Sequence, residues 1–518
     1  MTSAREFKQR QLDMLNRRSF VRAAGGCAAL SSASIMSTLL NLKTCNAAVA
    51  TQGGFEGYKA IVCVFLFGGN DSFNMLVPRE DESYGHYQAT RGSQAEGGLA
   101  LSPEELLDVS TLRGEKFGIH HSMPELKQLY DDRKCAFLAN VGTIVRPTTK
   151  RDYENRNDLP LGLFSHADHI RHWQTSIPQS RSNLTGWAGR MADLVTDSTN
   201  RSENVSMNIS LSGITAFETG NQVVPYVVQP SGATVLAGHG GVNVQDRIYT
   251  KATDGMLSQT YTDLLEKTYA NTRRTALDAA VEFNTAVNSV DLETQFPESY
   301  LGSQMRMIAK AVGARRLLQQ RRQVFFVTVG GWDHHADTIA NQERMLPDVS
   351  RSIKAFYDAT VELGTANDVV TFTVSDFGRT LSSNGRGSDH AWGGNQFAVG
   401  GAVQGGDVYG DFPTLMANSD LDVGRGRLIP GMSTCEYAAE LALWYGMEND
   451  GLLEDVLPNI RNFYSARDRS YPVGFLDPKT VTPPPGYQPP GNNPPGSGDD
   501  DKPSPPQPPG GGAGGFNG

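Results

Sequence analysis

The chain has 518 residues, 20% of them charged, and a formal net charge of −10. That length suits one large α/β domain with insertions, or a few smaller domains. The acidic balance argues against nucleic acid as a partner, and a mean hydropathy of −0.37 without a second long apolar run argues against an integral membrane domain after signal removal.

The N-terminus reads as a targeting segment. Arg5, Lys8, Arg10, Arg17 and Arg18 give a basic start, and Asn16-Arg17-Arg18-Ser19-Phe20 is a twin-arginine pattern. A modestly apolar stretch over 23–42 follows, then Lys43 and a small-x-small signal at Ala48-Val49-Ala50. Residues 1–50 are therefore expected to be a twin-arginine signal peptide that exports the folded chain to the periplasm or beyond. Cys63, Cys135 and Cys435 remain after it, an odd number that excludes a disulfide framework.

Four segments then share one design, an apolar β-rich run with a glycine turn at or soon after its end. They are Ala60 to Phe67 before Gly68-Gly69-Asn70-Asp71, Ala136 to Val141 before Gly142, Val324 to Val329 before Gly330-Gly331-Trp332-Asp333-His334-His335, and Val369 to Val374 before Ser375-Asp376-Phe377-Gly378-Arg379. Helical patterns lie between them. Ser122-Met123-Pro124-Glu125 reads as a capping box, 305–320 and 353–363 as helices, and Tyr437 to Tyr445 as a late helix closed by Gly446. The alternation predicts an α/β fold with a doubly wound, mostly parallel central sheet flanked by helices over 51–475. The looser pattern over about 145–320 reads as an inserted cap region, and the Pro/Gly-rich composition of 476–518 as a disordered tail.

Ligands of open α/β sheets bind beyond the carboxyl ends of the strands. Asp333 and His335, two apart in an extended run, share a side there, with His334 facing away. Asp71 and Asp376 end two other predicted strands, and Arg379 suits an oxyanion. His390 stands in the glycine-rich run Ser388 to Gly394. Each has a plain alternative: an Asx turn for Asp71, a helix cap for Asp333 or Asp376, a surface ion pair for Arg379. Four such clusters together point to a shared site. Ser165 opens a helix as a candidate cap and as the place where an anionic group would be received, with His166 and His169 on one face.

In this order the motifs FLFGGNDSFNMLVP (65–78), SH (165–166), NLTGWAGR (183–190), GGWDHH (330–335), SDFGRT (375–380) and SDHAWGG (388–394) resemble a twin-arginine-exported, functionally uncharacterised bacterial family of the alkaline phosphatase and sulfatase superfamily. The resemblance implies an alkaline-phosphatase-like sheet, two metal ions and a Ser, Thr or modified Cys nucleophile. It implies metal ligands at Asp71, Asp333, His335, Asp376 and His390 and the nucleophile position at Ser165; His166 and Arg379 are read as further catalytic residues, with His166 or Asn74 the candidates to fill an incomplete metal subsite. The superfamily usually has His after the Asp at the Asp376 position, where this chain has Phe377.

The expected function is an exported hydrolase of phosphate or sulfate esters, acting on a small-molecule or polymer ester with divalent metal ions, Zn²⁺ or Mn²⁺ by donor chemistry. The alternative is a non-catalytic cell-envelope binding or assembly protein on the same fold.

Overall fold

The computed structural model describes residues 57–202, 204–447, 450–464 and 471–477. The expected signal segment, and the expected tail beyond Asp477, lie outside the described residues. The strands are β1 (Lys59–Leu66), β2 (Leu76–Pro78), β3 (Leu106–Ser110), β4 (Lys116–His120), β5 (Cys135–Gly142), β6 (Asn208–Ser210), β7 (Tyr226–Val227), β8 (Arg322–Val329), β9 (Val369–Ser375), β10 (Gly394–Gly400), β11 (Val408–Tyr409) and β12 (Met432–Ser433). The main helices are α1 (Asp81–Arg91), α2 (Pro124–Asp131), α3 (His166–Thr175), α4 (Trp187–Thr199), α5 (Val244–Leu257), α6 (Leu264–Asn288), α7 (Tyr300–Gly313), α8 (Thr338–Glu362) and α9 (Thr434–Tyr445).

The central sheet runs β11-β5-β10-β9-β1-β8-β6-β7, with β12 beside β5. β1 pairs in parallel with β8 and β9, and β6 in parallel with β8. β10 is antiparallel to both β5 and β9. The four runs read as parallel strands from sequence are all in this sheet, and the antiparallel β10 among them was not expected. A small second sheet, β2-β4-β3, sits apart.

Both faces of the sheet are covered, which explains why its strands show no polar alternation. Ala60, Val62 and Val64 of β1 pack into one apolar layer with α2, α7 and α8. Ile61, Cys63 and Phe65 pack into the other with α4 and α9. Cys63, Cys135 and Cys435, the cysteines among the described residues, are buried and free.

Three local expectations change. Part of 145–320 is woven into the sheet, since it supplies β6 and β7 and the core helices α4 and α7, so it is not simply a cap. The helix expected over 353–363 is the second half of α8, which begins at Thr338 and runs through Pro347. Its buried stripe, Leu346, Val349, Ile353 and Phe356, outweighs the lost hydrogen bond at proline. The capping box at Ser122 is absent, and α2 starts at Pro124 with no side-chain cap from its own N-terminus. The hydroxyl of Ser350, on α8, instead accepts from Leu126 N–H at 3.0 Å and donates to Glu125 Oε2 at 2.8 Å.

Candidate metal centre

Three turns at one end of the sheet build the site. After β1 the chain turns at Gly68, whose φ is +121°. A Cβ there would lie 2.4 Å from the backbone nitrogen of Asp333, so only glycine allows the β1 and β8 turns to touch. Gly68 N–H donates to Asp376 Oδ1 at 3.1 Å, tying in the β9 turn. Because β10 is antiparallel to β9, its entry loop returns to the same end: Arg379 and His390 form a bridge, and Ala391 N–H donates to Gly378 O at 3.0 Å.

After β8 the side chains alternate. Trp332 and His334 are buried, whereas Asp333 and His335 are exposed. His335 Nε2 lies 3.1 Å from Asp333 Oδ1 and 3.0 Å from His390 Nε2. His390 Nε2 is 3.2 Å from Asp333 Oδ1 and 3.0 Å from His166 Nε2, and His166 Nε2 is 3.5 Å from Asp333 Oδ2. Thus three imidazole Nε2 atoms and one carboxylate converge. Within that set His166, Asp333 and His390 have ligand atoms all within 4.8 Å of one another.

The far nitrogen of each ring is engaged. His166 Nδ1 is 2.6 Å from Asp376 Oδ2, His335 Nδ1 is 2.9 Å from Asp389 Oδ1, and His390 Nδ1 is 2.8 Å from the carbonyl oxygen of Phe164. An oxygen acceptor at Nδ1 assigns the proton there and leaves a lone pair on Nε2. Neighbouring Nε2 atoms 3.0 Å apart need a proton or a metal cation between them. With their Nε2 atoms unprotonated, three imidazoles and a carboxylate, each ring held by an oxygen behind it, offer the donor chemistry of a divalent-metal site.

Charges around the cluster act on its members in opposite senses. The hydrogen bond to Asp376 raises His166 above the ordinary histidine range, against the opposing effect of burial. Burial lowers His390, against the opposing hydrogen bond to the Phe164 carbonyl, and the Arg379 charge adds to the lowering. Burial works against the Asp333 anion, yet the hydrogen bond and charge of Arg379 hold it below the usual carboxylate range. Asp389 is also buried in part, but hydrogen bonds from Asn384 and His335 and the Arg425 ion pair hold it well below that range.

The expected site residues are thus redistributed. Asp333, His335 and His390 come together, and His166, expected in a catalytic role or as the residue completing a metal subsite, joins them. Asp376 is placed behind His166 and not at the cluster, because its two oxygens face His166 and Gly68 N–H. Asp71 ends β1 as expected, but it is fully buried and ion-paired with the equally buried Arg91 of α1. Among the described residues no hydrogen bond or ion pair joins it to His166, His335 or His390. Arg379, expected to receive an oxyanion, is fully buried. It donates to Asp333 Oδ1 at 2.7 Å, Gly68 O at 3.3 Å, Ser388 O at 2.6 Å and Ser388 Oγ at 3.2 Å, so it fixes the site's own loops. Ser165 is the N-cap residue of α3 but makes no side-chain cap bond, and its hydroxyl is directed to Asp168.

Phe377 fills space between rings, its centroid 4.8 Å from His166 and 4.7 Å from His390. His169 lies behind it, buried, accepting from Phe164 N–H at 3.2 Å. Sequence reasoning missed Asp389, Asn384 and Arg425, whose one signal was that Asp389 precedes His390. It also missed Arg91, which carries no local signal.

Residues 58–423 match the family described as a protein of unknown function, DUF1501. The chain belongs to the DUF1501 family. The match takes in every residue of the four-donor cluster and the oxygens behind it. No curated protein matches this DUF1501 member. Among solved structures it is similar to Ps i-CgsB in complex with k-i-k-neocarrahexaose, at 9% identity and a TM-score of 0.31 over 79% of this chain and 77% of that one. It is similar to the PsFucS1 sulfatase from Pseudoalteromonas sp. at 10% identity, TM-score 0.28, over 71% and 68%. The lipoteichoic acid synthase LtaP from Listeria monocytogenes shares 10% identity at a TM-score of 0.26 over 67% and 66%. Likenesses this slight assign neither an activity nor a substrate. Among the described residues no helix is long and apolar enough to cross a membrane.

Proposed function

We propose that this chain is an exported, divalent-metal-dependent hydrolase of phosphate or sulfate esters. The observation that carries the reading is the convergence of His166, His335 and His390 Nε2 with the Asp333 carboxylate, each imidazole held from behind by an oxygen. Twin-arginine-type residues at 16–20 support export to the periplasm or beyond.

His166, His335, His390 and Asp333 would hold one ion, and the nitrogen and oxygen mix suits Zn²⁺ or Mn²⁺. A cation bound there supplies Lewis-acid polarisation of an ester oxygen. The chain's own groups do the rest. Arg379 holds Asp333 ionised, Asp376 keeps the His166 proton on Nδ1, and Asp389 does the same for His335. Asp333 and His335 are both about half exposed, so the cluster faces solvent on one side, where an ester can enter. Ser165, next to His166 at the start of α3, is the candidate nucleophile.

A second reading is a metal-holding envelope protein without turnover. It is favoured by Arg379, whose commitment to Asp333 and Ser388 leaves it unable to receive a transferring group.

Both readings are tested on protein purified from the periplasm, by elemental analysis paired with aryl phosphate and aryl sulfate assays. The expected result is about one divalent ion per chain, loss of that ion in Asp333→Ala and His390→Ala, and metal-dependent turnover. Metal without turnover selects the second reading. A wild type free of metal sinks both.

A further inference from the structure

α5 and α6 form a hairpin whose outer part is unusually apolar. Of nineteen large apolar residues that are exposed among the described residues, eight fall between 242 and 269. Val244, Ile248, Leu264 and Leu265 are each more than 60% exposed. The eight together expose on the order of 1,000 Å², while each partner in an interface of standard size contributes roughly 800 Å². Such a concentration of exposed apolar residues on one hairpin makes it a candidate contact surface.

Between the helices lies an open groove of about 390 Å³, lined mostly by apolar and tyrosine side chains, among them Tyr249, Met256, Leu257 and Tyr269, with Glu266 and Arg273 also in its lining. Leu264 and Leu265 sit in sequence between two of those lining residues and stay out of the groove. Each copy of the chain therefore carries both an apolar plug and an apolar receptacle on one hairpin. That combination is what a two-fold, self-complementary contact requires.

Charge points to the same occupant. Residues 242–278 contain five acidic and five basic side chains, whereas the whole chain carries −10. Two copies meeting through this segment avoid the repulsion that the rest of the acidic surface would impose. A balanced hairpin also lacks the excess of basic residues that draws a helix to an anionic lipid surface.

We propose that this hairpin is the dimer interface of the protein, with Leu264 and Leu265 of one copy seated in the Tyr249–Tyr269 groove of the other. The interface is independent of the metal centre. The test is sedimentation velocity on the full exported chain from 1 to 100 µM, beside the double variant Leu264→Asp, Leu265→Asp. The wild type is expected at twice the monomer mass. The variant is expected as a monomer, its dimer dissociation constant raised at least 100-fold, with melting temperature and metal content unchanged to show that it folds. A monomeric wild type overturns the proposal, as does a double variant that stays dimeric. Co-flotation of a monomeric wild type with phosphatidylglycerol vesicles would give the face to a lipid surface instead.

Discussion

His166 Nδ1 lies 2.6 Å from Oδ2 of the fully buried Asp376, and the opposite nitrogen of the same ring lies 3.0 Å from His390 Nε2. The carboxylate thereby decides which nitrogen of His166 can act as a ligand. In Asp376→Asn the fold should persist, but the amide no longer holds the Nδ1 proton by charge. Metal affinity is expected to fall roughly 10–100-fold, the range for loss of an outer carboxylate partner. Competition with a chromogenic chelator measures it, and unchanged affinity would place Asp376 outside the metal centre's support.

Ser165→Ala separates a nucleophile from a helix-start residue. The hydroxyl makes no cap bond in α3, so stability should change by less than about 1 kcal/mol. If Ser165 is the attacking group, turnover vanishes while the ion stays bound. Retained turnover in a metal-replete variant would remove Ser165 from the chemistry.

Gly68 and Gly330 make a matched pair of substitutions. At Gly68 a Cβ would meet the Asp333 backbone at 2.4 Å with φ at +121°, whereas at Gly330 it would meet nothing within 4 Å. Gly68→Ala should destabilise the protein by more than about 2 kcal/mol and disperse the metal ligands, since neither backbone can yield cheaply. Gly330→Ala should be tolerated within about 0.5 kcal/mol. Thermal unfolding with metal analysis reads both, and equal effects would mean that the β1–β8 contact does not order the site.

Glu218 predicts a pH dependence away from the metal. Burial raises its carboxyl from the ordinary range to about 8, only partly offset by hydrogen bonds from Ser210 and Thr215. The folded chain then holds one proton more than the unfolded chain between about pH 4.5 and 8. Stability is fully present below that window and declines as pH rises through it, by at most about 1.4 kcal/mol per pH unit. Glu218→Gln should abolish this component of the slope. Urea unfolding at pH 5, 6.5 and 8 tests it: a wild-type minus variant difference that does not change with pH refutes it.

Much of the architecture was legible because its cause is local. β1, β5, β8 and β9 are apolar runs buried on both faces, and that composition shows in each segment by itself. The alternation of Asp333, His334 and His335 expected of an extended run is found, although the segment is held by successive tight turns, His334 N–H to Trp332 O and His335 N–H to Asp333 O. β10 was less legible, because strand direction depends on where the chain returns and not on the residues it contains. The same holds for α2, whose cap is Ser350, more than 200 residues away.

By itself the sequence determined the α/β order, the buried strands, and which Asp and His stand at their ends. Only the tertiary structure decided what each does. Asp71 and Asp376 read alike as strand-end carboxylates, yet one is neutralised by Arg91 and the other orients His166. Arg379 reads as a free anion binder until its donors are seen facing Asp333, Gly68 and Ser388. The physical reason is that a carboxylate or guanidinium takes its role from the partner that meets it after burial. Those partners come from turns far apart in the chain, so local spacing holds no record of them.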